Sequence, residues 1–403
     1  MTLDTFCIVP WVHLRLGQDG ETYPCCRMNE FYPYGSVTRQ SIEEIWNSEP
    51  IRKLRLQMLS GKKLPLCEDC YACERKGALS LRQKMNSDFS RASERVTHTG
   101  ADGRVPFAGL LSLDLRLSNV CNLRCRSCGP QNSTAWYGDA KKLGSSVPDQ
   151  ILRFPGGEDG IRGMLDAHLS TLKLIYFAGG EPLLEELHYF ILERLIACGR
   201  TDIELDYNTN FSVLGRKQWN APSMWRQFDK VTVSASLDGV GEQAEFIRKG
   251  LVWRDVEVNF KRLKTEAPRT SFYVYSTVSA MNAFHITVAI DKFQELGMLS
   301  SPQAFTLNVV TSPDYLRLSL FNETERASLH RHYTNYVKIA KIRHGTEFSE
   351  HIAKEFAKVL EQVDSEFDPT VRIRFRSYML TLDRIRAERS FMVFPDLADI
   401  ILN

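Results

Sequence analysis

The chain has 403 residues, of which 43% are hydrophobic and 25% are charged, and its formal net charge is +2. A chain of this length and apolar content can bury a full core and is expected to carry more than one domain. The small net charge gives no bulk electrostatic reason to expect a nucleic-acid partner. No apolar run approaches the about 20 residues of a membrane span, which argues against a membrane protein.

The N-terminal residues lack the basic and apolar regions of a secretory signal. The ten cysteines are therefore expected to be reduced thiols and metal ligands in the cytoplasm. Six of them lie between Cys7 and Cys73.

This cysteine-rich region is predicted to form a hairpin followed by a helix. Apolar residues alternate from 12 to 16, the turn Gly17-Gln-Asp-Gly20 follows, and the chain returns to Cys25. Ser41 to Glu44 form a capping box, so a helix is expected to begin there, continue beyond Pro50 and end near residue 61.

A Cys-x-x-Cys pair comes directly after this helix, and with the hairpin it supplies four sulfur ligands. The candidate ligands are Cys7, Cys25, Cys67 and Cys70. Cys7 can join the same site only if Pro10 bends the segment before the hairpin. Four thiolates can enclose either zinc or a 4Fe-4S cube, and spacing does not separate the two metals. Cys26 and Cys73 are left over, and either could replace an assigned ligand.

Three further cysteines, Cys121, Cys125 and Cys128, follow a strand-like run at residues 110–117. In this CxxxCxxC spacing, three thiolates on a four-iron cube leave one iron without a protein ligand, open to a substrate or cofactor. Structural zinc is the alternative, but it usually takes four protein ligands, and no His or fourth Cys follows closely enough.

Strand-like runs alternate with helical ones downstream, which is typical of repeated βα units. Six strands are predicted, at residues 110–117, 172–177, 202–207, 230–236, 271–278 and 305–310. The clearest helix between them is 183–198, and an irregular stretch at 144–163 interrupts the first unit. The fold class is therefore α/β, a partial (β/α)6 barrel with functional residues on the loops after the strands.

The second strand is followed by Gly179, Gly180 and Glu181. Paired glycines allow close backbone approach, and the Glu181 carboxylate can bind an ammonium group. The alternative is an ordinary turn into a helix, with Pro182 at its first position.

The next two strand ends carry Asn208, Thr209, Ser236 and Asp238, short side chains that can hydrogen bond ribose hydroxyls or form polar turns. Arg248 can pair with an anion, or it can be a solvated helix arginine. The sequence identifies no catalytic residue beyond these binding candidates.

The stretch from Ser118 to Pro130 around the three cysteines closely resembles the cluster loop of the radical S-adenosylmethionine (SAM) superfamily. The resemblance implies that Cys121, Cys125 and Cys128 bind a 4Fe-4S cluster whose free iron chelates SAM. The reduced cluster would then cleave SAM to a 5'-deoxyadenosyl radical. The Gly-Gly-Glu-Pro segment is similar to the motif that binds the SAM amino group. By the same resemblance, the polar residues of the next two strand ends and Arg248 are expected near SAM.

The N-terminal spacing resembles the SPASM and twitch modules that carry auxiliary clusters. It consists of Cys7, twelve residues, Gly20, four residues, Cys25, a gap and then the Cys67-x-x-Cys70 pair. The cysteines suffice for one auxiliary 4Fe-4S cluster. The module precedes the barrel, whereas such modules usually follow it.

The expected domains are an auxiliary-cluster module (1–83), a linker (84–109), the barrel (110–313) and a helical C-terminal region (314–403). The resemblance implies a radical SAM oxidoreductase or transferase that oxidises a peptide or small polar metabolite by dehydrogenation or bond formation. It would receive electrons from a donor such as flavodoxin or ferredoxin.

Two alternatives to this function stay open. A redox-neutral epimerase or isomerase would need a hydrogen donor, for which Cys198 or a tyrosine is available. A non-catalytic metal-binding scaffold would have no use for the Gly-Gly-Glu-Pro segment.

Overall fold

The computed structural model describes residues 4–27, 33–75, 77, 79–148 and 150–402. The strands are β1 (His13–Leu16), β2 (Glu21–Tyr23), β3 (Gly35–Ser36), β4 (Ser112–Arg116), β5 (Leu174–Ala178), β6 (Glu204–Thr209), β7 (Gly215–Arg216), β8 (Trp219–Asn220), β9 (Val231–Ser236), β10 (Ser271–Val278) and β11 (Phe305–Val309). The helices are α1 (Val9–Val12), α2 (Ile42–Trp46), α3 (Glu49–Leu59), α4 (Glu68–Arg75), α5 (Leu81–Asp88), α6 (Glu94–Thr97), α7 (Tyr137–Lys142), α8 (Gly157–His168), α9 (Glu186–Ala197), α10 (Ala221–Trp225), α11 (Gly241–Ile247), α12 (Trp253–Glu266), α13 (Ile286–Glu295), α14 (Glu323–His344), α15 (Thr346–Val363), α16 (Pro369–Arg386), α17 (Ser390–Val393) and α18 (Ala398–Leu402).

The chain forms two compact units. The first contains the residues up to Asn119, together with Ile151–Asp206 and Gln227–Lys230. The second contains Val120–Gln150, Tyr207–Arg226 and the residues from Val231 onward.

The first unit is built on a mixed sheet in which the N-terminal hairpin takes part. Its order runs β3, β2, β1, β4, β5 and then the first part of β6. β1 is antiparallel to β2 but parallel to β4, with Leu14 beside Leu113. β4 is parallel to β5, with Leu113 beside Ile175. β1 lies between β2 and β4 in this sheet, and all four of its residues are buried.

The predicted linker (84–109) contains ordered elements that contact the N-terminal segment. The Arg95 guanidinium donates hydrogen bonds to the carbonyl oxygens of Trp11, Ala108 and Gly109. The Asn86 side chain accepts a hydrogen bond from the Ile8 backbone N–H at 2.8 Å. The domain boundaries drawn from the sequence stay a prediction.

The second unit contains three parallel strands in the order β9, β10, β11. Val274 of β10 lies beside Ala235 on one side and Phe305 on the other. Helices α11 and α12 connect β9 to β10, and helix α13 connects β10 to β11, as expected for βα units. The helices after β11 pack on one another, and Tyr333 of α14 stacks on Phe356 of α15 with ring centres 4.0 Å apart.

The mixed α/β class with mostly parallel strands is confirmed, whereas the partial barrel stays a prediction. Each predicted strand is present, with bounds that differ by at most two residues. The helix predicted across Pro50 is in fact two helices, α2 and α3, because proline lacks an N–H and favours the first turn of a new helix. The irregular stretch predicted to residue 163 ends earlier, since α8 begins at Gly157. Within the described residues, no helix is long and apolar enough to cross a membrane.

Candidate iron–sulfur sites

Cys121, Cys125 and Cys128 share one loop of the second unit. Burial raises the pKa of the Cys125 thiol to about 12. Nearby charge on Cys128 and Cys121 contributes to this increase, so the three sulfurs are close enough to influence one another. Burial also raises the pKa of Cys128. The thiols of Cys125 and Cys128 would keep their protons at neutral pH unless a bound metal displaced those protons.

Arg248 reaches the most buried of these cysteines. Its Nη1 lies 3.8 Å from Cys125 Sγ, and its Nη2 donates to Asp238 Oδ2 at 2.9 Å. The other Asp238 oxygen accepts from the Thr277 backbone N–H at 2.8 Å. Burial acts to lower the pKa of Arg248, but the charges of Asp238 and Cys125 and the hydrogen bond to Asp238 together outweigh it, and the pKa is raised. Two residues predicted to contact SAM are thus paired with each other beside a predicted cluster ligand.

The remaining predicted residues of this unit contact their neighbours as follows. Ser236 Oγ donates to Asn208 Oδ1 at 3.1 Å. Thr209 is buried, and its hydroxyl oxygen accepts from the Phe211 backbone N–H at 3.0 Å in a turn where Phe211 has a φ of 58°. For Thr209 the structure therefore displays the polar-turn interaction.

Asn210 was missed by the sequence analysis, although it ends the same strand motif. Its Nδ2 donates to Asn122 Oδ1 at 3.1 Å and lies 3.7 Å from Cys121 Sγ. Gly250 was missed as well. Its φ is 104°, and an added Cβ would meet the Asn122 carbonyl oxygen at 2.9 Å, so a glycine is needed where this segment approaches the cysteine loop.

In the first unit, the Gly179 to Glu181 turn lies against the end of β4. Gly179 has a φ of 111°, and the Gly180 N–H donates to the Ser118 carbonyl oxygen at 3.0 Å. The Glu181 carboxylate is buried and accepts from the Leu183 backbone N–H at 3.1 Å, which caps a short 3-10 helix that begins at Pro182. The alternative considered from the sequence, a turn into a helix with Pro182 at its first position, is thus present, and one Glu181 carboxylate oxygen caps that helix.

The four predicted N-terminal ligands lie near one another in the first unit. The pKa of Cys7 is raised to about 12, mainly by burial and in part by charge on Cys67 and Cys70. Burial raises the pKa of Cys67 to about 11. Burial also raises the pKa of the Tyr34 phenol, and charge on Cys25, Cys67 and Cys7 raises it further. One buried tyrosine is therefore close to three of the four ligands, and the fourth acts on Cys7.

Neighbouring helices hold the segment that carries Cys7. The Phe6 carbonyl oxygen accepts from Arg82 Nη1 at 2.7 Å and from Asn86 Nδ2 at 2.8 Å. Helix α1, with Pro10 in its first turn, then leads the chain into β1. Cys26 is exposed, and Cys73 donates to the Leu79 carbonyl oxygen.

The donor sets match iron–sulfur clusters in chemistry. All ten cysteines are free thiols. Among the residues described, no three His, Cys, Asp or Glu side chains converge on one metal-ion position. A cube distributes its thiolates over separate irons, so its ligands need not converge in this way. Arg248 Nε is a buried donor with no hydrogen-bond partner in the described part of the chain, which suits an anionic group beside Cys125.

Comparisons with known proteins identify the N-terminal region. Residues 7–73 match the family model of SPASM, an iron-sulfur cluster-binding domain. This range begins at Cys7, ends at Cys73 and contains all four predicted ligands, so the predicted SPASM-type module is confirmed. No curated protein sequence matches the chain significantly.

Part of the chain is similar to several solved structures. Native anSMEcpe with bound AdoMet and Cp18Cys peptide is 20% identical, with a TM-score of 0.40 over 59% of this chain and 62% of that chain. Streptococcus suis SuiB bound to S-adenosylmethionine is 14% identical, with a TM-score of 0.41 over 82% of this chain and 69% of that chain. The chain thus spans less than two thirds of the length of the first of these structures.

Proposed function

We propose that the protein is a radical SAM enzyme with an auxiliary iron–sulfur cluster in its N-terminal module. The main observation that supports this proposal is the set of three thiols of Cys121, Cys125 and Cys128, with the Arg248 guanidinium beside Cys125 Sγ. A 4Fe-4S cluster held by these cysteines supplies, when reduced and bound to SAM, the electron that cleaves SAM to a 5'-deoxyadenosyl radical. The SPASM match supports an iron–sulfur enzyme of this kind.

Residues of the chain would bind the cofactor and balance its charge. We assign the SAM amino group to Glu181, because its buried carboxylate lies directly after β5 and can bind an ammonium group. Gly179 and Gly180 are assigned to close approach of the backbone to SAM. Arg248 and Asp238 form a buried pair that places a cation next to the negative cluster. Asn208, Thr209 and Ser236 are assigned to the surroundings of SAM.

The auxiliary cluster would be held by Cys7, Cys25, Cys67 and Cys70. Because four protein ligands leave no iron open, we assign to this module the removal of an electron from the substrate radical rather than substrate binding. This role favours net oxidation, either dehydrogenation or bond formation, of a peptide or small polar metabolite. The proposal includes a cytoplasmic location and an external donor such as flavodoxin or ferredoxin.

The position of Cys198 does not favour the redox-neutral alternative. Cys198 is exposed at the C-terminal end of α9 and precedes the start of β6. Gly179 to Glu181 follow the end of β5, before α9 begins. In a βα unit these two positions lie at opposite ends of the strands, so Cys198 is poorly placed to donate hydrogen at the SAM end.

Iron analysis and SAM cleavage test the proposal. Anaerobically reconstituted protein is expected to hold about eight irons as two cubes and, with a strong reductant, to form 5'-deoxyadenosine. Replacing Cys121, Cys125 and Cys128 by alanine should remove half of the iron and all SAM cleavage. Four irons in the wild type, with zinc in the N-terminal module, would contradict the auxiliary cluster.

Glu181→Gln tests the assignment of the SAM amino group. Glutamine keeps an oxygen that can cap the Leu183 N–H, but it removes the charge. We expect SAM to bind about tenfold more weakly or worse, since a hydrogen bond to a charged group contributes about 1.5–3 kcal/mol. The iron content should stay unchanged. Normal SAM affinity in equilibrium dialysis would show that the turn is only structural.

A further inference from the structure

Arg126 lies inside the CxxxCxxC motif, and its side chain is completely buried. Its Nη2 donates to Asp383 Oδ1 at 2.8 Å and to Glu388 Oε2 at 2.7 Å. The guanidinium also lies 4.0 Å from the centre of the Phe246 ring. A buried cation is tolerated only with such partners, so this motif position depends on acids more than 250 residues further along the chain.

Arg124, on the other side of Cys125, is partly exposed and pairs with the buried Asp139. Its Nη1 donates to Asp139 Oδ1 at 2.8 Å. The other Asp139 oxygen accepts from Arg386 Nε at 2.8 Å, and Arg386 Nη2 returns to the Arg124 carbonyl oxygen at 2.8 Å. Arg386 is fully buried and lies over the Trp136 ring.

The backbone of residues 124–126 is fixed on both sides of Cys125. The carbonyl oxygens of Arg124, Cys125 and Arg126 accept hydrogen bonds from Arg386, Trp136 and Tyr378, respectively, at 2.6–2.9 Å. The N–H groups of Arg124 and Arg126 donate to the carbonyl oxygens of Lys249 and Ile247, respectively, at 2.9 and 2.8 Å. Rotation about the bonds of the Cys125 side chain is the main freedom left to its sulfur.

Helix α16 carries several of the side chains that contact residues 124–126. Tyr378, Asp383 and Arg386 lie on it, and Ala387, in the left-handed conformation, turns the chain so that Glu388 also reaches Arg126. Glu388 pairs in addition with Lys249, whose carbonyl oxygen holds the Arg124 N–H. Asp383 and Glu388 neutralise Arg126, which would otherwise lie beside Cys125 as an unpaired cation.

We propose that α16 and Glu388 position the cysteine loop, so that Cys125 is oriented before a cluster binds, with Tyr378 and Asp383 as positioning residues. The proposal rests on the proposed function only in taking the ligand of the loop to be an iron–sulfur cluster. A preorganised ligand binds more tightly because less ordering is needed at the moment of binding. Loss of these contacts should therefore weaken the hold on the cluster in this loop and leave the N-terminal cluster unaffected.

The test compares Tyr378→Phe and Asp383→Asn with the control Asp314→Asn. Asp314 pairs with Arg374, which also lies on α16, at 2.7 and 2.8 Å, but this pair is exposed. In reconstituted protein, iron release to a chelator is followed together with the electron paramagnetic resonance spectrum of the reduced cluster. The protein lacking Cys121, Cys125 and Cys128 gives the release rate of the N-terminal cluster.

We expect both test variants to release the loop iron at least tenfold faster and to alter its spectrum. In both test variants, iron release from the N-terminal cluster should match that of the wild type. In the control Asp314→Asn, iron release from both clusters should match it. Equal acceleration of both clusters, or an unchanged loop cluster, would overturn the proposal. If Asp383→Asn does not fold, Tyr378→Phe decides, because it removes only a hydroxyl.

Hydrogen exchange in iron-free protein separates this proposal from the proposed function. The Arg126 amide should exchange at least tenfold faster in Tyr378→Phe than in the wild type, whatever the loop binds. Unchanged exchange overturns positioning by α16, even if SAM cleavage is observed. Faster exchange in a protein that never binds iron in this loop would refute the proposed function and leave the positioning intact.

Discussion

The two groups of cysteines are held in different ways. In the loop that carries Cys121, Cys125 and Cys128, three successive carbonyl oxygens accept hydrogen bonds from side chains, two of which lie on the 18-residue helix α16. The N-terminal cysteines are contributed by short pieces instead. Cys7 precedes the four-residue helix α1, Cys25 follows the three-residue strand β2, and Cys70 lies in the eight-residue helix α4.

This difference predicts different roles for the metal. Helices of fewer than about 12 residues are marginal in water, so the short N-terminal elements depend on tertiary contacts or on a bound cluster. Metal binding and folding are then coupled in the N-terminal module. The loop of the second unit should instead retain its conformation without iron.

The largest effect is expected from Cys67→Ser combined with Cys70→Ser. Half of the iron should be lost, and residues up to about 80 should become sensitive to protease because the cluster no longer joins the short elements. Formation of 5'-deoxyadenosine should persist while the oxidised product disappears, because hydrogen abstraction precedes electron removal.

Retained SAM binding is the control for the folding of the remaining chain. Unchanged product formation in this double variant would make the module structural or substrate-docking, and would favour the redox-neutral alternative. Wild-type protease resistance without the cluster would remove the proposed contrast between the two cysteine groups.

An intermediate effect is expected from Arg248→Met in iron-free protein. The substitution leaves the buried Asp238 carboxylate without its cation, and breaking a buried pair typically costs about 3–5 kcal/mol. Arg374→Met is the matched control, because its pair with Asp314 is exposed and should contribute less than about 1 kcal/mol. Urea denaturation measures both. Equal losses would show that the second unit gains no special stability from the pair beside the loop.

The smallest effect is expected from Ala387→Gly. Ala387 has a φ of 54° and a ψ of 46°, a left-handed conformation at the end of α16 that glycine adopts without steric cost. The free energy of unfolding should rise by up to about 1 kcal/mol. Ala357→Gly, at an exposed interior position of α15, should lower it by about 1 kcal/mol. Thermal unfolding of the two variants should therefore shift in opposite directions.

Local sequence patterns were sufficient for much of the fold. The six main strands, the hairpin turn and the capping box at Ser41 are present where they were predicted. Such elements follow from residue periodicity and from neighbours a few positions apart. The SPASM module was also predicted, through the resemblance carried by the spacing from Cys7 to Cys70. The break before Pro50 was misjudged, although proline provides a local signal for it.

Only the tertiary structure decided which residues serve the cysteine loop. Asp383 and Glu388 meet Arg126, and Asp238 pairs with Arg248 instead of remaining a separate polar turn residue. The parallel pairing of β1 with β4 is likewise a contact between distant parts of the chain. An acid or an arginine in a sequence has the same composition signal whether it is solvated or buried in a pair. Its partner is determined by the packing of helices and strands, whether the two residues are ten positions apart, as Asp238 and Arg248 are, or more than 250, as Arg126 and Asp383 are.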